Sequence, residues 1–478
     1  MKKVLHIETF PFSPHLETSA EIAIRQSKTN KVYFFWAGYD LPWTDWKLPF
    51  FKTLLGMKYE KKIEYLNTVI EKFNIKKIDK IELDKKIIKD IDRWIVKFDE
   101  NTNLRKVKYK KFNIGIGVLS SFISFFQNDN PKLNKRLVQN ALKSSALVYE
   151  RTKEIINIIK PDLIVTFNNR FGISLPILEI AKKKNIKYLC HENGSNVNKY
   201  QIFKKSVHDV NERCEQIFSL WKNTGKIKRI KSAQKFFNLP FTKSKINFNL
   251  GGTRKNLSLK QISKIELNKK FKYVVFFCSS NYEFQAISND FYDDLISTKW
   301  SNQIQVVESL CKTIKKIKDM KLIVRIHPQL TQKQDETNSW KKFSKYKNVI
   351  FIPAKSKINS FDLLKKADIV ASFGSSLAVH AVYHGKPSIS FRKHDFSCSK
   401  VLIHPKNEND LLKILKKKKF IKYPKYKCYP YGNYLVNFGI KYKYFKPSTI
   451  YKGFILGYPT NHYGKFVNLL LKPFFKKV

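Results

Sequence analysis

Polar residues suited to acid–base or phosphate chemistry follow three apolar stretches of the sequence. Each group comes directly after a run typical of a buried strand, and the three groups are His191-Glu192, His327-Pro328 and Gly374-Ser375-Ser376. A carboxylate can take the proton of a hydroxyl, and an imidazole can donate a hydrogen bond to a phosphate oxygen. Backbone N–H groups and hydroxyls at a helix start bind phosphate. These residues indicate a site for a phosphate-bearing substrate with a general base.

Each of these groups also has a purely structural interpretation. A serine at a helix start can be an N-cap, which stabilises a helix by about 1 kcal/mol, although capping accounts for only one of Ser375 and Ser376. The His327-Pro328 pair can be a chance strand end, and Glu192 can be an exposed carboxylate in a turn.

An arginine interrupts the aliphatic run "KLIVRIHPQL" that leads to His327. Side chains alternate along a strand, so Arg325 shares a face with His327. We interpret Arg325 as structural support for the strand, with Asp368 or Glu283 as its expected partner.

Two further stretches supply weaker candidates. Ser279 and Ser280 end the run "VVFFCSS" with Glu283 close behind, and this segment is either a turn or a contact with the nucleotide. His15 and Glu17 lie in "PFSPHLETSAE", where an acceptor would enter. Thr18 to Glu21 in the same loop also matches a capping box, which would begin a helix without any role in binding.

Strands and helices alternate along the sequence in two series, and these elements must position the candidate residues. The alternation predicts two domains that face a cleft, each with a parallel, doubly wound sheet. We expect a Rossmann-like acceptor domain over 1–235, a linker over 236–270 and a Rossmann-like nucleotide-sugar domain over 271–400. The basic, aromatic-rich tail over 401–478 shows no clear rhythm and is expected to pack on the first domain or on a membrane. Ligands bind at the carboxyl ends of parallel strands, which is where the candidate residues fall.

Composition limits the remaining classes of function. The 478 residues carry a net charge of +54, and most of the cations are lysines spread along the chain. A nucleic-acid reader would concentrate its cations and use more arginine, so nucleic acid is not an expected partner. The lysines are either solvated surface or a means of attraction to an anionic inner leaflet. The stretch "FNIGIGVLSSFISFF" is too short to span a bilayer and predicts a buried helix, with membrane-surface contact as the alternative.

Six cysteines without metal-ligand spacing indicate a reducing cytoplasm and no metal centre. We therefore expect a cytoplasmic protein that lies peripherally on the inner membrane if its surface binds lipid.

Taken in order, Glu192-Asn193-Gly194, His327-Pro328 and Ser375-Ser376 resemble the three short motifs of bacterial sialyltransferases and polysialyltransferases. The stretch from 270 to 395 more broadly resembles capsule polysaccharide biosynthesis proteins, which include the capsule Kdo transferases. Both families are GT-B glycosyltransferases that use CMP-activated acidic sugars. The resemblance implies that Glu192 is the base, with His191 as the alternative. It also implies that His327 assists departure of CMP and that the two serines hold its phosphate.

The sequence departs from these families at two positions. Asn193 replaces an acidic residue in the first motif, and His380 lies where many related sequences have a ribose-binding glutamate. The first departure concerns the assignment of Glu192 as the base, and the second concerns which nucleotide carries the sugar.

The expected protein is a GT-B glycosyltransferase of surface polysaccharide biosynthesis, metal-independent and inverting, with no cofactor. Its expected substrates are a nucleotide-sugar, with CMP as the carrier, and a polysaccharide or lipid-linked glycan acceptor. Two alternatives remain open: a polyol-phosphate transferase of the teichoic-acid type, and a non-catalytic partner in polysaccharide export.

Overall fold

The chain divides into two compact units in the computed structural model. The structure describes residues 1–45, 59–239, 267–287, 299–327, 340, 342–343, 345–449 and 452–460. One unit contains Met1–Val207 together with the described residues from Phe438 onward, and the other contains His208–Asn437.

The first unit is built on a mixed sheet whose central strands are all parallel. The strands are β1 Lys3–Glu8, β2 Lys31–Trp36, β3 Lys76–Ile78, β4 Leu163–Phe167, β5 Lys187–Asn193, β6 Lys199–Phe203 and, near the C-terminus, β12 Ile440–Lys441. They lie in the order β12-β6-β5-β4-β1-β2-β3, and only β6 and β12 are antiparallel to their neighbours. The order 3-2-1-4-5 of the parallel strands is that of the first five strands of a Rossmann sheet. Strands such as Val4–Ile7 and Ile164–Phe167 are buried on both faces, hence their continuous apolar runs.

Helices cover this sheet. They are α1 His15–Gln26, α2 Tyr59–Glu71, α3 Lys85–Ile95, α4 Gly115–Phe126, α5 Lys135–Ile159 and α6 Leu175–Lys183. Helix α5 begins at an Asn134 cap that accepts the backbone N–H of Leu137. It ends where Lys160 takes a left-handed conformation before Pro161, as the sequence predicts. The predicted buried helix is α4, which is buried along one side while Phe125 and Phe126 at its end are partly exposed.

The second unit repeats the same parallel arrangement. Its strands are β7 Lys272–Phe277, β8 Met320–Arg325, β9 Val349–Ile352, β10 Ile369–Ser372 and β11 Ser388–Ser390. They lie in the order β11-β10-β7-β8-β9, which is again 3-2-1-4-5 when the strands are numbered from β7. The prediction of two doubly wound, Rossmann-like domains is therefore confirmed for each unit.

Helices of the second unit flank its sheet and extend beyond it. They are α7 Val210–Asn223, α8 Lys226–Asn238, α9 Asn281–Ala286, α10 Gln303–Ile314, α11 Ser360–Lys366, α12 Leu377–Tyr383, α13 Glu408–Leu415 and α14 Tyr429–Asn437. Residues of α10, including Val306 and Leu310, pack with Phe276 and Leu322 of the strands in one apolar core.

The boundary between the units lies at Val207, whereas the sequence placed the end of the first domain at 235. Helices α7 and α8, which begin between these two positions, belong to the second unit because they pack against its helix α14. A Cβ on Gly432 of α14 would lie 2.6 Å from the ring of Phe237 and 3.2 Å from Cα of Ala233 in α8, so the two helices pack too closely for a side chain at this position. The predicted linker begins inside α8, where Phe236 and Phe237 are buried, and 240–266 lie outside the described residues.

The tail, whose sequence shows no clear rhythm, contains helices α13 and α14 in its first part, and both belong to the second unit. The chain then joins the first unit. Strand β12 pairs with β6, and a small sheet follows, made of β13 Phe445–Thr449, β14 Lys452–Ile455 and β15 Tyr458–Pro459. Phe445 and Ile455 of this sheet are buried in the core of the first unit. Among the described helices, none has the length and apolar character to cross a bilayer.

Candidate functional site

In the first unit, polar side chains gather where β1, β4 and β5 end. Glu8 is the last residue of β1, Asn168 follows β4, and His191 and Glu192 lie near the end of β5. Because these three strands are parallel neighbours, their carboxyl ends share one edge of the sheet. His15, at the first turn of α1, reaches the same edge.

Glu192 is the accessible carboxylate of this cluster. Its Oε2 accepts a hydrogen bond from Asn168 Nδ2 at 3.0 Å, and its Oε1 accepts the backbone N–H of Asn193 at 3.0 Å. The Glu192 side chain is 23% exposed, so a ligand hydroxyl can reach it. The two donors fix the carboxylate in place, which suits a general base that must meet one particular hydroxyl.

His15 lies beside Glu192. Its Nδ1 is 4.0 Å from Glu192 Oε1, and its ring stacks on Phe167 with 3.8 Å between centroids. Burial, and secondarily the nearby His191 and Lys62, hold the pKa of His15 well below 6.5, so the ring is neutral at pH 7. The buried Nδ1 has no hydrogen-bond partner among the described residues. A neutral imidazole with an unused nitrogen next to a carboxylate can bind a hydroxyl.

His191 faces away from solvent. It is fully buried, and its Nε2 lies 3.1 Å from Oε1 of the equally buried Glu8. This pair ties β5 to β1 across the intervening β4. The structure thus places Glu192 on the accessible side of the strand end and His191 in its interior.

The loop candidate Glu17 is already engaged. Its Oε1 accepts from Ser13 Oγ at 2.8 Å and lies 2.8 Å from Nζ of Lys62, with both charged side chains almost fully buried. Lys62 gave no signal in the sequence because it belongs to α2, far along the chain. The alternative interpretation of Thr18 to Glu21 as a capping box does not hold, since α1 begins at His15 and both residues lie within it.

The glycine of the first motif has a packing role. A Cβ on Gly194 would lie 2.6 Å from Cβ of Lys199 and 2.8 Å from its carbonyl carbon, so only glycine fits this turn. Gly439 crosses directly against it, with φ +96°, and the backbone N–H of Ser195 donates to Phe438 O. The end of β5 that carries Glu192 is therefore supported by the C-terminal segment.

In the second unit, the candidate residues again lie at carboxyl strand ends. Ser279 and Ser280 follow β7, His327 follows β8, and Gly374 to Ser376 follow β10. The strand that leads to His327 and the strand that leads to the serine loop are not neighbours, because β7 lies between β8 and β10. With neighbouring strands about 4.8 Å apart, β8 and β10 are about 10 Å apart, a span that a nucleotide phosphate and sugar can bridge.

Exposure to solvent increases along the Gly-Ser-Ser loop. Gly374 is buried, Ser375 is partly buried and Ser376 is exposed. Ser375 Oγ accepts the backbone N–H of Leu377 at 3.3 Å, whereas Ser376, at the N-cap position of α12, makes no capping hydrogen bond with its side chain. One hydroxyl thus shapes the loop, and the other is presented to solvent.

The loop after β7 is clamped by a side chain that the sequence did not indicate. Gln303, fully buried at the start of α10, accepts the N–H of Ser279 at 3.0 Å and donates to its carbonyl at 2.6 Å. Ser280 is buried, and its carbonyl accepts the N–H of Glu283, whose own side chain is exposed. This fixed loop lies between the other two candidate strand ends.

His327 is partly buried, and it is the last residue described before Trp340. Pro328, the second residue of that motif, lies outside the described residues. Arg325 supports the strand as predicted, but the expected carboxylate partner is wrong. Its guanidinium donates to the carbonyls of Pro353, Ser356 and Ile358.

Arg392 is a cation at this edge that the sequence reasoning missed. It follows β11, is 3% exposed, donates to Ile287 O at 3.3 Å and lies over the ring of Phe373 beside the serine loop. Burial lowers the pKa of Arg392 to about 10, so it stays protonated at pH 7. The sequence feature that could have indicated Arg392 is its position directly after "PSISF", at the end of a strand.

His380 does not face this edge in the way a ribose-binding side chain would. It is 3% exposed, and its ring packs among Phe236, Phe237 and Phe361 with centroids 4.9, 5.0 and 5.4 Å away. At this position, where many related sequences have a glutamate, the side chain of His380 is thus part of an aromatic core.

No protein-family model and no curated protein matches the sequence. Solved structures with similar folds include the β-Kdo 2,7-transferase of KpsC from Thermosulfurimonas dismutans, 12% identical over 60% of this chain and 80% of the other, with a TM-score of 0.35. The β-Kdo 2,4-transferase of the same KpsC is 12% identical over 65% and 87%, with a TM-score of 0.36. S. aureus MnaA in complex with UDP is 10% identical over 99% and 97%, with a TM-score of 0.28. Similarity this low carries no functional inference, so any assignment rests on the residues of the two sheet edges.

Proposed function

We propose that this protein is a glycosyltransferase of surface polysaccharide biosynthesis. In this proposal it transfers an acidic sugar from a CMP-activated donor, with inversion and without a metal ion, to a polysaccharide or lipid-linked glycan. It works in the cytoplasm, at the inner leaflet when the acceptor is lipid-linked. The six cysteines form no disulfide with one another, which agrees with a reducing compartment.

Glu192 is proposed as the base that activates the acceptor. Its carboxylate takes the proton of an acceptor hydroxyl while that oxygen bonds to the anomeric carbon of the donor sugar. The bond between the anomeric carbon and the phosphate oxygen breaks, and CMP leaves with the electron pair. His15 is proposed to bind the acceptor through Nδ1, which the protein leaves without a partner.

The donor is proposed to bind at the carboxyl edge of the second unit. Ser279, Ser375 and Ser376 provide hydroxyl donors for the phosphate, Ser375 and Ser376 add backbone N–H donors, and His327 donates to the oxygen on which negative charge develops. Fixed donors of this kind stabilise a leaving phosphate without reorganisation. Arg392 adds a buried positive charge next to the serine loop.

One observation carries the proposal: all three motifs, which are distant in sequence, end on the carboxyl edges of two sheets with the Rossmann strand order. Residues at that edge are where such sheets bind nucleotides and their substrates.

The test begins with binding of CMP, CDP, UDP and GDP, measured by calorimetry. We expect CMP to bind, and His327→Ala to weaken it while the melting temperature stays unchanged. With a CMP-sugar and a glycan acceptor, Glu192→Gln should lower kcat by about 100-fold or more, and Glu179→Gln on the surface of α6 serves as the control. If none of the four nucleotides binds, the proposal fails in favour of a non-catalytic export partner. Mass spectrometry of the product separates sugar transfer from polyol-phosphate transfer.

A further inference from the structure

A cavity of about 590 Å³ lies in the second unit, away from the candidate nucleotide edge. Its lining includes Lys272 at the start of β7, Asp368 just before β10 and Pro387 just before β11. These positions are the amino ends of the strands, whereas Ser279 and Ser375 follow the carboxyl ends. A six-residue strand spans about 20 Å, so the cavity and the serine loops lie on opposite edges of the sheet.

The walls of this cavity are strongly cationic. Six lysines line it: Lys272, Lys386, Lys417, Lys418, Lys419 and Lys422. None of the six forms an ion pair with a carboxylate in the part of the chain that the structure describes. The single acidic residue of the lining, Asp368, accepts the backbone N–H of Tyr273 with one oxygen. In the described part of the chain, the six lysine charges of the lining are therefore opposed by a single lining carboxylate.

The remaining lining is apolar and partly aromatic, with Leu415, Phe420 and Tyr423 among its residues. A cavity of this size holds a few sugar residues, and aromatic rings pack against the C–H faces of sugars. One wall is the exposed run 416–422, which can bind a chain that continues beyond the cavity.

The type of cation and the shape of the site favour one class of ligand. Lysine is a flexible point charge, and the lining contains no arginine fork that would select a single phosphate. Repeated carboxylates along a polymer meet several such charges at once. A flat bilayer meets the exposed run but cannot enter the cavity to reach Lys386, which is only partly exposed.

We propose that this cavity is a second binding site for a polyanionic glycan, separate from the candidate catalytic residues. It holds a short acidic segment of the chain while the chain end is extended elsewhere. The cationic cavity stands by itself, and only its link to chain extension rests on the proposed transferase function.

Binding of polygalacturonate to the full chain, measured by calorimetry without nucleotide, tests this proposal. The variant removes three cavity charges by Lys386→Gln, Lys418→Gln and Lys422→Gln together. A matched control removes three exposed charges from α8 by Lys226→Gln, Lys228→Gln and Lys231→Gln. With a loss of roughly two- to threefold for each contact, the cavity variant should bind about tenfold or more weakly, and the control should change little.

Three outcomes would overturn the proposal. Equal weakening by both variants would show diffuse attraction to the net charge. Equal binding of the methyl-esterified, uncharged polymer would remove the role of carboxylates. Binding of phosphatidylglycerol vesicles that depends on the cavity lysines, without binding of polygalacturonate, would assign the surface to a membrane. Nucleotide binding is measured in a separate experiment, so a failure of the transferase proposal can be told apart from a failure of this one.

Discussion

The buried carboxylate of Glu21 holds the C-terminal segment on the first unit. Its Oε1 accepts the backbone N–H of Lys443 at 2.9 Å, and its Oε2 accepts those of Tyr444 at 2.6 Å and Phe445 at 3.0 Å. Arg25, one turn further along α1, donates to Oε1 at 2.6 Å. The side chain of Glu21 is fully buried, so water cannot replace these donors.

Glu21→Gln keeps the shape of this side chain but removes its charge and one acceptor oxygen. Whichever oxygen becomes the amide nitrogen, two of the four hydrogen bonds are lost. If the nitrogen takes the place of Oε1, one of the two lost bonds is that of Arg25 in α1, so at least one bond to the segment is lost. A hydrogen bond to a charged group contributes about 1.5–3 kcal/mol, so the segment should lose at least about 1.5 kcal/mol of its attachment free energy. At about 1.4 kcal/mol for each factor of ten, the detached fraction should rise about tenfold or more.

Limited proteolysis of the segment that begins at Phe438 measures this fraction, because cleavage follows the open population when closing is fast. Activity should fall in parallel, since Gly439 supports the turn at Gly194 beside Glu192. Glu179→Gln, which removes a partly exposed partner of Lys182, should leave cleavage unchanged. Equal cleavage of wild type and Glu21→Gln would refute the reasoning.

Two further predictions concern pH and the serine loop. Burial lowers the pKa of His6 to about 3, so the unfolded chain binds a proton below pH 6.5 that the folded chain does not. The free energy of unfolding should therefore fall as pH drops from 6.5 toward 3, by up to about 1.4 kcal/mol per pH unit from this residue, and His6→Asn should flatten that part of the profile in denaturant titrations. Gln303→Ala should release the Ser279 backbone, lower the melting temperature by about a few degrees and weaken nucleotide binding about tenfold; unchanged affinity would show that this loop does not meet the nucleotide.

The order of strands and helices could be predicted from the sequence around β1 and β2, around β4 and β5, and from β7 to β11. Runs such as "DLIVTF" and "KYVVFF" are continuous and apolar because they lie in parallel strands covered on both faces. The helix over Lys135–Ile159 ends before Pro161 because the residue before a proline avoids the helical conformation. Where local patterns were misleading, long-range packing was the cause. Helices α7 and α8 belong to the second unit because of contacts with α14, about two hundred residues away in the chain.

The sequence by itself determined which side chains reach the sheet edges. Glu192, Ser279, His327 and Ser375 follow strands, and the ends of parallel strands share one edge whatever their order. Only the tertiary structure decided what surrounds each of them. It brings Asn168 to Glu192, Lys62 to Glu17 and Gln303 to Ser279, pairs formed between separate elements of the chain. Local periodicity records which face of an element is buried, but not which element covers it, and so it cannot name these partners.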